Sequence, residues 1–238
     1  MTHPPTVVLL GGSGLAPWAW ERVTPSLEAT GLRTHVPQLS ATGDDGTPAA
    51  DVSLQTWIDD VLRELHQLGT ADVTLVAHSF AGYIGAAVLE REPGLVRTAI
   101  FLDAAIPSPH RSWFEVMGPE TEAFMTSLAD GGAVPFFTRE QLDQTYPGHG
   151  ISEQDWAWLT ARITPQPLRT YIGRAIDHDL DTRATRLAYV RCLGTTPPVA
   201  AIDEDTPGWT YRALPTGHWP MFTEPVAVAN MIEELTRL

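Results

Sequence analysis

Six short apolar, β-rich runs punctuate the chain: Thr6–Leu10, Thr34–Val36, Val73–Val76, Thr98–Leu102, Leu187–Leu193 and Thr210–Leu214. Between them apolar residues recur at helical spacing over about 22–31, 53–68, 82–91 and 225–237. This alternation predicts an α/β fold, a mostly parallel sheet with helices on both faces. On the last helix Val226, Met231, Ile232 and Leu235 form an apolar stripe suited to packing on the sheet. Residues 107–182 break the rhythm, because helical patterns follow one another there without strands between them, punctuated by Pro109, Pro119, Pro135, Pro147, Pro165 and Pro167. The chain divides accordingly into a core, 1–106 with 183–238, and a helical insertion over 107–182.

Where the third run ends, the pattern carries chemistry. Residues Val73–Val76 lead into Ala77-His78-Ser79-Phe80-Ala81 and then into a helix through about Leu89. A tight strand-to-helix turn holds a serine side chain in the open, and it needs small residues two before and two after the serine because strand and helix pass close together. Ala77 and Ala81 meet that need, and Gly82 and Gly85 permit close helix-to-sheet contact. A serine that only caps the following helix is the simpler alternative.

Context comes from the chain's two ends. The first run ends in Gly11-Gly12-Ser13-Gly14, followed by Trp18 and Trp20 before a helix beginning near Glu21, and the last run breaks at Pro215-Thr216-Gly217-His218. Glycine loop, serine and late histidine follow the order in which one class of hydrolases arranges its nucleophile and base. The glycine loop lacks the further glycine and the lysine of a phosphate-binding loop.

The segments VVLLGGSGLAPWAWERV, LVAHSFAG, FLDAAIP and TGHWPMFTEP resemble the compact α/β-hydrolases that include plant hydroxynitrile lyases, methylesterase-like proteins and bacterial esterases, over essentially the whole chain. Gly11 stands where that family usually has histidine, and Ala77 and Ala81 replace the usual flanking glycines. The resemblance implies a helical cap over 107–182, Ser79 as nucleophile and His218 as its base, and an oxyanion hole from the backbone N–H groups of Ser13 and Phe80. Gly12, Trp113, Phe136, Trp158 and Trp219 are the candidate substrate-binding residues, drawn from the glycine loop, the aromatic-rich insertion and the position after His218.

The acid is where the chain departs from its relatives. In most of them it follows the strand before the histidine strand, and here that turn reads Gly194-Thr195-Thr196-Pro197-Pro198, without a carboxylate. Asp103, at the end of Thr98–Leu102, is the favoured substitute; the alternative is Asp203-Glu204-Asp205, which reads more naturally as a solvated helix end. Seven further histidines compete with His218: His3 and His35 near the first strands, His66 on a helix, His78 beside the serine with its side chain directed away from it, and His110, His149 and His178 in the insertion. Asp177-His178-Asp179 with Asp181 has metal-ligand chemistry but no second cluster, so no metal is assigned and no cofactor is expected.

Composition narrows the functions further. A net charge of −14 argues against nucleic acid and anionic membrane surfaces as partners. All fifteen basic residues are arginine, which removes lysine Schiff-base chemistry. The single cysteine, Cys192, lies in an apolar strand run and forms no intrachain disulfide, and with no apparent targeting or membrane segment the expected setting is cytoplasmic. The expected activity is a serine hydrolase cleaving a carboxylic ester or lactone of a small apolar or aromatic molecule through an acyl-enzyme. Two alternatives use the same fold: a lyase or cyclase with the same Ser/His relay, and a non-catalytic small-molecule binding protein. The oligomeric state is left open.

Overall fold

The computed structural model describes residues 4–43, 45–181 and 183–238; His3, Thr182 and the outermost boundary of the expected core lie outside them. Among the described residues eight strands are present: β1 Thr6–Leu10, β2 Arg33–His35, β3 Val73–His78, β4 Thr98–Leu102, β5 Ala133–Val134, β6 Gln166–Pro167, β7 Arg186–Cys192 and β8 Trp209–Leu214. Six of them form one sheet in the order β2-β1-β3-β4-β7-β8, every neighbouring pair parallel. The helices are α1 Thr24–Ala29, α2 Leu54–Leu68, α3 Ala81–Arg91, α4 Trp113–Met117, α5 Pro119–Leu128, α6 Arg139–Thr145, α7 Glu153–Thr160, α8 Arg169–Ile172, α9 Pro220–Thr223 and α10 Pro225–Arg237.

The central strands read as unbroken apolar runs because both of their faces are covered. Side chains still alternate: Val8, Leu10, Leu75, Ala77 and Phe101 join the core under α2 and α3, while Val7, Leu9, Val76, Ile100 and Leu102 join the core under α1 and α10. α2 shows how its local sequence dictates its ends. Ser53 and Thr56 form a reciprocal capping box, Gly69 closes the helix at φ 63°, and Leu54, Trp57, Ile58, Val61 and Leu65 recur on one buried face.

One expected helix is shorter than its pattern. The helix expected over about 22–31 is α1, Thr24–Ala29, and ahead of it Pro17–Trp20 forms a separate 3₁₀ turn. Pro17 and Pro25 each suit a first helical turn, where no N–H is needed, so each starts its own short element. Between β4 and β7 lie α4 to α8 and a short two-stranded antiparallel pair, β5 with β6.

The chain runs from β1 out to β2 and returns to β3 on the other side of β1, so the sheet's winding reverses between β1 and β3. Crevices at the carboxyl ends of strands open at such a reversal. The Gly11–Gly14 loop follows β1 and Ser79 follows β3, so both stand at that place.

Candidate active site

From Val73 to Leu89 every residue is buried except Ser79. β3, the turn and α3 are packed on all sides, and the serine alone reaches the surface of the crevice. Its backbone has φ 56°, a left-handed conformation that costs a non-glycine residue on the order of 1 kcal/mol or more and persists only where neighbours enforce it. They do: Ser79 N–H bonds to the Leu102 carbonyl, while its own carbonyl accepts the N–H groups of Gly82 and Ala105. A Cβ on Gly82 would collide with the Ala105 carbonyl oxygen, and one on Gly85 would stand 3.1 Å from Ala77 Cβ. Close approach thus excludes a side chain at Gly82 and leaves little room for one at Gly85.

Ser79 Oγ lies 2.9 Å from His218 Nε2, and His218 Nδ1 lies 2.7 Å from Asp103 Oδ2. Asp103 follows β4 directly, with φ 43° and its N–H held by the Val190 carbonyl at 2.7 Å. His218 comes four residues after β8. Its ring is clamped by the rings of Tyr146, stacked at 4.8 Å, and Trp219, edge-on at 4.7 Å. Gly217 lets this loop touch the backbone of His149, where any Cβ would overlap.

The turn after β7 has a part in this arrangement although it carries no acid. Thr195 donates its hydroxyl to Asp103 Oδ2 at 2.6 Å, and the Cys192 N–H donates to Oδ1 at 3.1 Å. Burial alone would push the Asp103 carboxyl up, but hydrogen bonds from His218, Thr195 and the Cys192 backbone outweigh it and hold the group below the ordinary carboxylate range. A carboxylate therefore stands on the far side of the His218 ring from Ser79 although the turn after β7 carries none. Asp203 is elsewhere: its Oδ1 accepts the Asp205 N–H and the Thr206 hydroxyl in an exposed turn rather than at a helix end.

The competing histidines separate cleanly. Those at 35, 66, 110, 149 and 178 pair with Glu64, Glu92, Asp177, Asp143 and Glu90, all pairs with at least one solvent-accessible member. Among the described histidines His218 alone has a fully buried carboxylate partner and a serine on its other nitrogen. His78, which sequence reasoning assigned only a direction, donates Nε2–H to the His218 carbonyl at 2.7 Å and so braces the base from behind. Desolvation, and then repulsion from His218, push its pKa down to about 3, so it stays neutral.

Two backbone N–H groups flank the serine without an acceptor among the described residues, those of Ser13 and Phe80. Gly12 makes the approach possible, since a Cβ there would come within 2.7 Å of Ser79 Cβ. Phe80 stacks on Tyr83 and meets Trp57, Trp113 and Tyr171 edge-on. Phe136 packs on Trp219. Trp113, Phe136 and Trp219 are thereby joined to the rings around Phe80 and His218. Trp158 is not: it packs on Trp18 and Phe222, with the guanidinium groups of Arg22 and Arg162 over its ring. Trp158 fastens α7 to the Pro17–Trp20 turn and α9.

The remaining clusters have local partners. Glu90 accepts the N–H groups of Asp177 and His178, and Asp181 binds Arg183. Among the described residues no group of three or more potential ligands gathers for a metal ion, and no helix is long and apolar enough to cross a membrane.

A family model described as the alpha/beta hydrolase family matches residues 7–231. The chain belongs to that family. A carbendazim hydrolyzing esterase of Nocardioides sp. strain SG-4G is 24% identical over 237 residues, spanning 96% of this chain and 98% of that protein. A putative chloroplastic methylesterase 12 of Arabidopsis thaliana is 26% identical over 249 residues, covering 97% of this chain and 71% of that one. Among solved structures, an extracellular alpha/beta-hydrolase from a Paenibacillus species superimposes with a TM-score of 0.81 at 18% identity, over 99% of this chain and 100% of its own. A pyrethroid hydrolase from Sphingobium faniae JZ-2 gives 0.74 at 21%, over 98% and 97%. With such relatives along its whole length, the chain is an enzyme of the hydrolase class.

Proposed function

We propose that this protein hydrolyses a carboxylic ester or lactone of a small apolar or aromatic molecule through an acyl-enzyme on Ser79. The observation that carries the proposal is the His218 ring, bonded to Ser79 Oγ at 2.9 Å on one side and to Asp103 Oδ2 at 2.7 Å on the other. A serine hydroxyl is a weak nucleophile at neutral pH and needs such a base within reach. As Ser79 Oγ attacks the ester carbonyl, its proton passes to His218 Nε2, and the imidazolium is oriented and balanced by Asp103. The negative charge forming on the carbonyl oxygen is met by the N–H groups of Ser13 and Phe80, the latter at the start of α3, where the helix dipole adds to the effect. Collapse expels the alcohol, which takes the proton from His218, and water repeats the sequence to release the acid.

Gly12 leaves the carbonyl room beside Ser79, and Trp113, Phe136 and Trp219 give the walls their apolar, aromatic character. Residues 107–182 act in this proposal as a cap that shapes the site. Names of relatives point the same way at the level of the bond broken, esterases and methylesterases among them. The test is labelling with a fluorophosphonate probe alongside turnover of p-nitrophenyl esters of graded chain length. Wild-type protein should be labelled and active, and Ser79→Ala should lose both. An unlabelled wild type, or one labelled no faster than His218→Ala, overturns the proposal.

A further inference from the structure

Tyr171, on α8, reaches 158 positions back along the chain to donate its hydroxyl to Ser13 Oγ at 3.1 Å. Its ring is wedged among Phe80, Trp113 and Phe114, with centroids 4.9, 5.0 and 5.4 Å away, so the hydroxyl is held in place. Burial raises the Tyr171 pKa far above its ordinary value, and the group stays a donor at any working pH.

The direction of this bond matters. A serine hydroxyl has one hydrogen to give and two lone pairs to receive with. With Tyr171 occupying the acceptor side, the hydrogen of Ser13 Oγ remains to be donated, and no acceptor for it occurs among the described residues. Ser13 is partly open to the crevice, next to the Gly12 that abuts Ser79. Covalent geometry keeps a serine Oγ within about 3 to 3.5 Å of its own backbone N in every rotamer that folds back toward it. A backbone donor alone would be supplied as well by alanine, without a buried tyrosine aimed at the side chain.

We infer that the Ser13 hydroxyl is a third donor to the oxyanion, beside the Ser13 and Phe80 N–H groups, and that Tyr171 is the positioning residue that orients and polarises it. The inference rests on the acyl-enzyme reading above. No proton is transferred in the step: the Ser13 hydrogen stays on Oγ and its hydrogen bond shortens as charge builds on the substrate oxygen, strengthened by the bond that Oγ receives. The segment between β4 and β7 is thereby tied to the chemistry through one hydroxyl.

The experiment measures kcat and KM on a p-nitrophenyl ester, and the inhibition constant of an arylboronic acid, which adds to Ser79 as a tetrahedral anion, for Ser13→Ala, Ser13→Thr, Tyr171→Phe and the Ser13→Ala/Tyr171→Phe double variant. Ser13→Ala should lower kcat by about 10²–10³-fold with KM nearly unchanged, and weaken the boronic acid in step. Ser13→Thr keeps the hydroxyl and should retain most of the activity. Tyr171→Phe should cost about 10-fold alone and nothing further in the Ser13→Ala background, because it acts through that hydroxyl. Wild-type kcat in Ser13→Ala, or an equal loss from Tyr171→Phe in both backgrounds, overturns the inference. If Tyr171→Phe does not fold, Ser13→Ala against Ser13→Thr decides alone. Activity that survives Ser79→Ala refutes the acyl-enzyme reading itself, whereas Ser79-dependent turnover indifferent to Ser13→Ala refutes only the third donor.

Discussion

Two helical stretches of nearly equal length behave oppositely in this molecule. α3, behind Ser79, buries Ala81 through Leu89 without a break, and its glycines are dictated by contact with Ala105 and Ala77. α5, between β4 and β7, buries none of its ten residues, and Phe124 is 54% exposed. The hydrogen-bonded chain at the candidate site is held by the first kind of structure: Ser79, Asp103, Thr195 and His218 all follow the carboxyl ends of sheet strands. The segment between β4 and β7 contributes through a few anchored side chains, Tyr171 to Ser13 of the glycine loop and Tyr146 to the His218 ring. Precision is concentrated in the sheet edge, and changes should be felt more strongly the nearer they lie to it.

The largest effect is expected at Asp103. In Asp103→Asn the amide would donate toward His218 Nδ1 or face it with a neutral oxygen, favouring the wrong imidazole tautomer and leaving the imidazolium without its counter-charge. kcat should fall by about 10³–10⁴-fold, with the fold intact by circular dichroism. Replacing Asp203 or Asp205 should leave kcat at the wild-type level. A near-wild-type Asp103→Asn would remove the carboxylate from the relay.

Much of this sheet edge was legible beforehand, and for a physical reason. Strands covered on both faces write themselves as apolar runs, and the elbow at Ser79 admits only small residues at fixed offsets, so both leave compositional marks. The acid was harder, because a carboxylate can reach the same imidazole from β4 or from the turn after β7, and nothing in local spacing selects one. The Thr195 hydroxyl bond to Asp103 and the His78 bond to the His218 backbone were illegible for the same reason: each joins residues far apart in the chain. An aromatic ring in a helical insertion likewise has no local mark distinguishing a pocket wall from a packing surface, so the packing of Trp158 on Trp18 and Phe222, with Arg22 over its ring, could not be read from the sequence.

The next effect concerns acid stability. His78 has its pKa pushed down to about 3 in the folded protein by burial and then by His218, against about 6.5 in an unfolded chain. Between those values the unfolded chain takes up a proton that the folded one refuses, so stability is full above about pH 6.5 and is lost as pH falls toward 3. The contribution of this one group amounts to about 3 kcal/mol between pH 7 and pH 4. Urea unfolding at both pH values should show that loss in the wild type and a shallower one in His78→Gln. Parallel pH dependence in the two proteins would mean that His78 is not kept neutral by the fold.

A smaller effect tests the turn after β7. Thr195→Val removes a charge-assisted hydrogen bond from Asp103 Oδ2 while keeping the shape of the side chain, and such bonds contribute about 1.5–3 kcal/mol. The carboxylate would be less firmly aimed at His218, so kcat should drop by about 10–10²-fold, with the acidic limb of the kcat–pH profile displaced to higher pH as Asp103 loses a bond that favours its charged form. Thr195→Ser should restore both. A fall in melting temperature with kcat and pH profile unchanged would reduce Thr195 to a packing role.

The smallest effect, at Phe124, is read against a buried control in the other helix. Ile84 in α3 is fully buried, and Ile84→Ala removes atoms that the packed sheet and helix cannot collapse to replace, so it should cost about 2–5 kcal/mol. Phe124→Ala in α5 deletes a larger side chain, yet more than half of that side chain already faces water and little apolar area changes environment. The loss should stay within about 0.5 kcal/mol by denaturant unfolding, with kcat on a p-nitrophenyl ester unchanged. The order of the two costs therefore reverses the order of the side-chain sizes, because burial and not volume sets the penalty. A Phe124→Ala cost comparable to that of Ile84→Ala would show that α5 is covered in solution, and the contrast between the rigid sheet edge and a loosely held segment beside it would no longer stand.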